Sequence, residues 1–275
     1  MSVPRSWVPQ AACDSSCVSQ VSARSRRPLV ICRAVLRATS AVTLLALAPL
    51  LAIPAPGRSR LQRGYCRMLL WALGVRTTVT GGPVRNLSGV LVVSGHVSWT
   101  DIFVIGSVLP GRFVAKAELV SWPGLGLLAR LLKVIPIERG NLRRLPEVVD
   151  SVANGLRAGQ TVVAFPEGTT YCGLAYGSFR PAMFQAAVDA GRPVQPLRLS
   201  YHHTDGRPST VAAYVGDDTL LASIRRLITE KRTTARVHVE SLQLPGTDRR
   251  ELAARCETVV RGDLTRRPVG HVVAA

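Results

Sequence analysis

The fold of this chain is constrained most strongly by one stretch, Val90-Leu-Val-Val-Ser-Gly-His96-Val-Ser-Trp-Thr-Asp101-Ile-Phe-Val-Ile105. The run that begins at Val90 is short, apolar and largely β-branched, which is typical of a buried strand. A Ser-Gly pair interrupts it, and the apolar residues from Asp101 onward fit a helix. The stretch therefore predicts a strand, a turn that carries His96, and a helix that begins at Asp101.

His96 and Asp101 form a candidate catalytic pair. A carboxylate that binds one imidazole nitrogen fixes the tautomer and leaves the other nitrogen to take a proton from a hydroxyl, which is general-base chemistry. On a regular helix a five-residue offset is about 140° of rotation, so the side chains can meet only if the residues between them turn back. The alternative is structural, because the spacing from Ser98 to Asp101 also fits a capping box.

The net charge is strongly positive, with 35 basic and 17 acidic residues giving +18. Such a surface attracts nucleic acid or an anionic bilayer, although an arginine excess also arises from genomic base composition. We find no zinc-finger spacing, no basic helix with a reading face, and only 5% aromatic residues for base stacking. We therefore expect an anionic membrane surface as a partner and no nucleic acid.

The cysteines show no paired Cys-x-x-Cys spacing and no histidine partners at zinc-binding distances in sequence. They lie at positions 13, 17, 32, 66, 172 and 256. This spacing predicts neither a disulfide framework nor a metal site.

The N-terminal region contains the longest apolar run. Residues 1–28 predict a disordered basic tail, and residues 29–74 a membrane-associating helical segment. The run from Ala38 to Pro54 is short for a spanning helix, which needs about 20 apolar residues, and arginines flank it on both sides. This symmetry favours a re-entrant or interfacial element, with residues 68–73 as the second arm of a hairpin. A short spanning helix and a buried core helix remain alternatives.

From about residue 77 the chain alternates aliphatic runs with helical patterns, which predicts an α/β fold with a mixed, mostly parallel central sheet flanked by helices. We expect one catalytic domain over residues 75–245, followed by a C-terminal helix and tail over residues 246–275. Helices are expected over residues 145–156 and after residue 218. The predicted strands are Thr77–Thr80, Val90–Val93, Arg112–Ala115, Val134–Ile137, Thr161–Phe165, Val194–Ser200, Val211–Val215 and Ala235–Leu242.

Three further blocks follow predicted strands or lie within them. One strand ends in Phe165-Pro-Glu-Gly-Thr169, at the kind of sheet edge where ligands collect, although a surface turn is the alternative. Another leads into Arg139, which suits a phosphate group or is a solvated loop arginine. The third contains Pro196, which belongs at an edge strand or a strand start.

Together these blocks resemble the glycerolipid acyltransferase family, whose best-known bacterial member is 1-acyl-glycerol-3-phosphate acyltransferase. The family's His-x4-Asp block is matched by His96 and Asp101, and its Phe-Pro-Glu-Gly-Thr-Arg block by Phe165 through Thr169. The Gly-x-Ile-Phe-Ile-Asp-Arg block is matched loosely by Lys133 through Arg139. The apolar block with proline is matched by Val194 through Leu197. The resemblance covers roughly residues 75 to 245.

The resemblance implies transfer of a fatty acyl group from acyl-CoA or acyl carrier protein, as co-substrate and without a cofactor, to the hydroxyl of a lysolipid. His96 would be the general base and Asp101 would orient it, with no acyl-enzyme. Residues that the resemblance assigns to acceptor binding are Lys116, Arg139, Glu167, Gly168 and Thr169, with Arg139 on the phosphate. Backbone amides near Gly168 would stabilise the oxyanion. The enzyme would work at the cytoplasmic face of the plasma membrane.

The expected acceptor is 1-acyl-glycerol-3-phosphate, which would give phosphatidic acid. Two departures from the family pattern bear on this expectation. Thr170 stands where phosphate-acceptor members usually carry arginine, and the second block has Lys133 and Pro136 in place of glycine and phenylalanine. The alternative acceptor is therefore a phosphate-free lyso-ornithine lipid, unless Arg180 restores the charge.

Other functions match the chain less well. The Gly-x-Gly run at Gly124 is preceded by Trp-Pro and not by a strand, which disfavours a dinucleotide site. A serine hydrolase would require a Gly-x-Ser-x-Gly motif, which the sequence lacks. A non-catalytic membrane scaffold remains as an alternative.

Overall fold

The computed structural model describes residues 11–18, 27–52, 57–82, 88–118, 126, 129, 133–138 and 140–262. The strands are β1 Val75–Gly81, β2 Leu91–Ser94, β3 Arg112–Lys116, β4 Ile135–Ile137, β5 Val162–Ala164, β6 Val194–His202 and β7 Thr233–Val239. The helices are α1 Arg27–Leu47, α2 Arg58–Ala72, α3 Asp101–Gly106, α4 Leu145–Arg157, α5 Ala182–Ala190, α6 Leu220–Thr229 and α7 Arg249–Arg261.

The seven strands form one sheet in the order β1-β7-β6-β2-β5-β3-β4. Five of the pairings are parallel, and β6 pairs with β7 in the antiparallel sense. The predicted α/β class with a mixed, mostly parallel sheet is confirmed. Because β2, β3, β4, β5 and β6 all run in the same direction, their carboxyl ends lie along one edge of the sheet.

Helices cover both faces of the sheet, which explains why β5 and the first three residues of β2 are apolar at every position. In β2, Val92 packs into the cluster formed with α2, α3 and α6. Its neighbours Leu91 and Val93 pack into the cluster formed with α4, α5 and α7. This alternation follows from the two-residue period of side chains along a strand.

Seven of the eight predicted strands are present, with bounds that differ by a few residues, and the strand predicted at Val211–Val215 is wrong. That run is buried as a loop. The Arg226 guanidinium donates to the carbonyl oxygens of Val211, at 2.9 Å, and Ala213, at 2.6 Å. A side chain thus supplies hydrogen bonds that a neighbouring strand would otherwise provide.

Strand β6 lies in the middle of the sheet, so the expectation of an edge position for Pro196 is wrong. The alternative of a strand start describes it better, because Pro196 is the third residue of β6. The antiparallel ladder with β7 begins one residue later, at Leu197. The missing N–H of the proline therefore lies ahead of that ladder.

Helix α1 begins at Arg27, eleven residues before the apolar run that starts at Ala38. Two of its arginines form hydrogen bonds with the rest of the domain. Arg33 donates to the carbonyl oxygen of Thr229, and Arg37 donates to that of Ile228 at 2.9 Å. These carbonyls lie in the last turn of α6, where the helix itself offers them no partner.

Most of α1 is exposed, so the alternative of a buried core helix does not describe it. The segment over residues 28–51 is long and apolar enough to cross a membrane, and only 17% of its most apolar part is buried. With α2 it forms an exposed surface, called here the apolar N-terminal face. The large residues of this face include Leu29, Leu36, Val42, Leu47, Met68 and Trp71.

Residues 11–18, which belong to the predicted disordered tail, form a packed turn, and the remainder of that tail up to residue 26 lies outside the described residues. Asp14 caps a short 3-10 turn over Ser15–Cys17 by accepting from the Ser16 N–H at 2.8 Å. Cys13 is buried in the core cluster that contains α2 and α3.

Candidate active site

The predicted catalytic and acceptor-binding blocks meet at the carboxyl edge of the parallel strands. His96 follows β2, Glu167 follows β5, and Lys116 is the last residue of β3. Neighbouring parallel strands end at the same edge, which is where α/β proteins bind their ligands. Three blocks that are far apart in sequence are thereby brought to one rim.

The His96 and Asp101 side chains are in contact, with Nδ1 and Oδ2 2.8 Å apart. The residues between them turn back, and the same Oδ2 accepts from the N–H groups of Val97, at 2.8 Å, and Ser98, at 2.9 Å. Asp101 therefore makes the contact with the imidazole that the catalytic interpretation requires, and it also bonds the backbone as the structural interpretation requires. Only half of a capping box forms, because the Ser98 hydroxyl accepts from the Thr100 N–H, at 3.2 Å.

Asp101 is fully buried, and its second oxygen is held by a residue that the sequence did not single out. The Tyr201 hydroxyl donates to Oδ1 at 2.6 Å and also contacts Thr100 Oγ1 at 2.8 Å. Burial, together with the charge of Asp101, raises the pKa of Tyr201 well above its usual value, so the phenol remains a donor. No local signal marks Tyr201, because only the sheet brings β6 beside the turn that follows β2.

The imidazole of His96 lies against Phe165, with ring centroids 4.0 Å apart and planes inclined by 14°. Its side chain is 14% exposed, so one edge of the ring reaches the surface. Because Nδ1 contacts the Asp101 carboxylate, we assign the imidazole proton to Nδ1. The other ring nitrogen, Nε2, then has a lone pair that can accept a proton. The sequence could have indicated that Phe165 belongs to the site, because this residue begins the Phe-Pro-Glu-Gly block.

Glu167 is buried beneath the histidine and binds backbone groups. Its Oε2 accepts from the His96 N–H at 2.8 Å, and its Oε1 accepts from the Gly177 N–H at 3.2 Å. Burial raises the pKa of Glu167 to about 7, although these two N–H groups oppose the shift. The structure thus places Glu167 where it holds the backbone at His96, and its two oxygens already have backbone donors.

The turn after β5 requires glycine at one position. Gly168 has a φ of 74°, a conformation that side-chain-bearing residues rarely adopt, and its N–H donates to the Phe165 carbonyl at 3.1 Å. That amide is therefore already used and does not offer the oxyanion donor expected there. Thr169 is partly buried in the same turn, and the Thr170 hydroxyl donates to the Tyr214 carbonyl.

Of the two cationic residues predicted to bind the acceptor, Lys116 is among the described residues and Arg139 is not. The side chain of Lys116 is exposed at the end of β3. Arg139 lies outside the described residues, so its predicted contact with phosphate stays a prediction. Next to it, Glu138 pairs with Arg144 at the surface.

The C-terminal helix α7 supports the loop that holds Glu167. Arg261 donates to the Gly177 carbonyl and pairs with Glu257 at 2.7 Å. Glu257 in turn accepts from the Phe179 N–H at 2.7 Å. Helix α7 thus fixes residues 177–179, which fix the carboxylate beneath the histidine.

A buried carboxylate in contact with a partly exposed imidazole, at this edge of an α/β sheet, is an arrangement that enzymes with a general base use. Comparison with known proteins shows the family to which the chain belongs. The family model described as Acyltransferase matches residues 76–200. The lyso-ornithine lipid O-acyltransferase of Pseudomonas aeruginosa is 36% identical over 208 residues, which cover 75% of this chain and 79% of that protein. The chain belongs to this lysolipid acyltransferase family.

Relatives in the family carry two acceptor names. The 1-acyl-sn-glycerol-3-phosphate acyltransferase of Neisseria meningitidis is 36% identical over 171 residues, covering 62% of this chain and 67% of that protein. The fold matches the crystal structure of the 1-acyl-sn-glycerophosphate acyltransferase from Thermotoga maritima with a TM-score of 0.63 and 20% identity, over 90% of this chain and all of that one. The relatives and the apolar helix α1 together indicate a lipid-directed enzyme that associates with membranes.

Proposed function

We propose that the protein transfers a fatty acyl group from a thioester carrier, acyl-CoA or acyl carrier protein, to the free hydroxyl of a lysolipid by direct attack. The observation that carries this proposal is the 2.8 Å contact between His96 Nδ1 and the buried Asp101 carboxylate. It leaves Nε2 as the proton acceptor at a sheet edge where two substrates can approach.

The reaction needs one proton acceptor that later becomes a donor. His96 Nε2 takes the hydroxyl proton as the lipid oxygen bonds to the thioester carbonyl carbon. The tetrahedral intermediate then collapses, the carbon–sulfur bond breaks, and the imidazolium returns the proton to the leaving thiolate. Asp101 stabilises the imidazolium throughout, and no residue of the enzyme becomes acylated.

Glu167 and Tyr201 act as positioning residues in this mechanism. Glu167 holds the backbone N–H of His96, and Tyr201 holds the carboxylate that orients the ring. Neither contacts the reacting atoms. The oxyanion donor is assigned to the neighbourhood of the turn after β5, excluding the Gly168 amide that is already bonded.

We favour the phosphate-free lyso-ornithine lipid as the acceptor, and 1-acyl-glycerol-3-phosphate is the second candidate. Thr170 carries no charge and its hydroxyl is taken up by the Tyr214 carbonyl, so it supplies nothing to a phosphate group. The Pseudomonas relative, whose alignment covers more of both chains, also carries the lyso-ornithine name. The second candidate is supported by the name of the Neisseria relative and by the exposed Lys116 at the same rim.

The site is proposed to work at the cytoplasmic face of the plasma membrane, with the apolar N-terminal face in the bilayer interface. Helix α1 places Arg33 and Arg37 on carbonyls of α6. A helix held along the domain in this way is better suited to lie in the membrane plane than to cross it. The net charge of +18 favours an anionic leaflet.

The test uses purified protein in mixed micelles with radiolabelled acyl-CoA, repeated with acyl carrier protein, and offers each lysolipid separately. His96→Ala and Asp101→Asn are expected to lower the rate by about 10²–10⁴-fold. His238→Ala is the matched control, because that histidine lies on β7 with its ring 44% exposed, and its rate should not change.

The outcome for each acceptor is distinct. Transfer to the lyso-ornithine lipid alone supports the favoured acceptor. Transfer to 1-acyl-glycerol-3-phosphate alone establishes the second candidate and makes Arg139 the next residue to replace. Wild-type rates in both site variants would overturn the general-base assignment. No transfer by the wild type to either acceptor from either carrier would restore the scaffold alternative.

A further inference from the structure

Three cysteines that are unrelated in sequence meet beside the active site. Cys13 and Cys17 come from the N-terminal turn, and Cys172 comes from the segment after the Phe-Pro-Glu-Gly block. Their Sγ atoms all lie within 4.8 Å of one another. The spacing of the cysteines predicted no metal site, because nothing in a linear pattern relates position 172 to positions 13 and 17.

The separation of the three sulfurs suits a metal better than a disulfide. Thiolates bind Zn²⁺ at about 2.3 Å, which sets neighbouring sulfurs about 4 Å apart around a tetrahedral or trigonal ion. A disulfide joins only two sulfurs, at about 2.05 Å, and would not account for the third thiol in the cluster. All three cysteines are free thiols in the structure.

Contacts that do not involve sulfur hold the cluster together. Asp14, between two of the cysteines, caps the turn, and the Cys17 N–H donates to the Asp14 carbonyl at 3.2 Å. The chain also passes tightly against Gly216, where a Cβ atom would lie 3.1 Å from the Asp14 Cα. The ligands are therefore prearranged by packing, which lowers the entropic cost of binding an ion.

We propose that Cys13, Cys17 and Cys172 form a binding site for a thiophilic d10 cation, Zn²⁺ or Cu⁺. Soft thiolate ligands select these ions over Mg²⁺ or Ca²⁺. Three thiolates complete a trigonal Cu⁺ site, whereas Zn²⁺ takes a fourth ligand such as water. Binding releases the three thiol protons to solvent, since the thiolate is the ligand.

The site would connect the N-terminal segment to the catalytic histidine. Cys172 directly follows Tyr171, whose N–H donates to the His96 carbonyl at 2.8 Å. An ion bound at the cluster would link residues 11–18 to the segment at Tyr171 and Cys172 that contacts the His96 backbone. The role is structural, because the sulfurs belong to a cluster that is distinct from the His96 and Asp101 pair.

The test measures metal directly on the full-length protein, reduced and freed of metal, then supplied with Zn²⁺ or with Cu⁺ under anaerobic conditions. Bound metal per chain is counted by mass spectrometry, and affinity is measured by competition with a chromophoric chelator. A Co²⁺ arm reports thiolate ligation through its charge-transfer absorption. Cys17→Ser and Cys172→Ser remove ligands, and Cys32→Ser is the control, because that cysteine is exposed on α1.

We expect one ion per chain, an affinity at least tenfold weaker in Cys17→Ser and Cys172→Ser, and no change in Cys32→Ser. The partly exposed Cys17 is the more tolerant site, and circular dichroism confirms that its variant is folded. Protection of all three thiols from alkylation by added metal provides a readout in the unaltered chain. Equal binding by Cys17→Ser, no binding of either ion, or a native disulfide between two of the three cysteines would overturn the proposal.

Discussion

The Asp101 carboxylate accepts four hydrogen bonds, and each has a separate consequence. One orients the imidazole, two close the turn between His96 and the carboxylate, and the fourth comes from the Tyr201 hydroxyl. A buried carboxylate is tolerated only when it is satisfied in this way. The histidine is therefore oriented by a group that cannot easily rotate away from it.

Tyr201→Phe should weaken both the fold and the catalytic step. The change removes the donor to Asp101 Oδ1 and leaves that oxygen buried without it, which costs about 1–3 kcal/mol in the free energy of unfolding. We also expect kcat to fall more than KM changes, because the carboxylate becomes free to move. Urea unfolding and steady-state kinetics measure the two effects.

Tyr176→Phe is the matched control for this variant, since the Tyr176 hydroxyl donates to the Gly173 carbonyl on an exposed side chain. It should leave stability and kcat nearly unchanged. If the two variants behave alike, the Tyr201 hydroxyl has no positioning role.

Glu167 predicts a specific dependence of stability on pH. Its folded-state pKa is raised to about 7 from 4.5, so between these values the native state keeps a proton that the unfolded state has lost. Its contribution to the free energy of unfolding is therefore present at low pH and is lost as pH rises to about 7. The loss is on the order of 3 kcal/mol.

Glu167→Gln lacks this titration, so the stability difference between wild type and variant should shift against the wild type from pH 5 to pH 8. Urea unfolding at the two pH values measures the shift. Glu251→Gln is the control, because that carboxylate is 66% exposed. Parallel pH profiles for wild type and Glu167→Gln would contradict the prediction.

At the scale of elements, the side chain of one arginine supplies backbone hydrogen bonds that a neighbouring strand would otherwise make. Arg226 on α6 bonds two carbonyls of the buried run at residues 211–215 and pairs with Asp218 at 2.6 Å. Both partners of the ion pair are largely buried. Removing one partner of such a pair leaves an uncompensated charge and, here, two unsatisfied carbonyls.

Arg226→Ala should therefore destabilise the protein by about 3–5 kcal/mol, as measured by urea unfolding. Arg207→Ala removes an exposed pair with Asp205, in which the arginine is 80% exposed, and should cost less than about 1 kcal/mol. Similar losses in the two variants would show that the buried loop does not depend on Arg226.

How much of the fold and site the sequence could predict differs among elements for physical reasons. The strand, turn and helix around His96 were predictable, because each has a local pattern and the family block marks the pair. The run at residues 211–215 has the composition of a strand, but two of its carbonyls accept from the side chain of Arg226, which lies fifteen residues after Val211. The residues of α5 are mostly apolar, so no amphipathic stripe marks that helix. Tyr201 and the cysteine cluster depend on chain crossings that a linear pattern does not encode.

At the scale of the whole molecule, most of the exposed large apolar side chains among the described residues lie in the N-terminal segment that contains α1 and α2. The apolar N-terminal face belongs to α1 and α2, whereas α4, α5 and α7 cover the opposite side of the sheet. An exposed apolar surface of this kind is typical of an interaction site. The bilayer is the partner that we propose for it, because the relatives are named for lipid acceptors.

Leu36→Asp should reduce binding to anionic vesicles, because a charge in this face must be dehydrated when the helix enters the interface. Leu36 is 66% exposed, and Leu244, which is 71% exposed beside α7, provides the matched control Leu244→Asp. Vesicle co-sedimentation should show a loss of about tenfold or more for the first variant and little change for the second. Equal binding of both variants would place the membrane contact elsewhere.

The support that α7 gives to the loop at residues 177–179 also sets an order of events. Arg261 lies 84 residues after its partner Gly177, and Glu257 lies 78 residues after Phe179. On the ribosome, the strands that carry His96 and Glu167 emerge long before these partners exist. We therefore expect a stage of synthesis in which β2 and β5 are present but residues 177–179 lack their hydrogen-bond partners in α7. The hydrogen bonds that fix residues 177–179 are therefore completed only after residue 261 has been added to the growing chain.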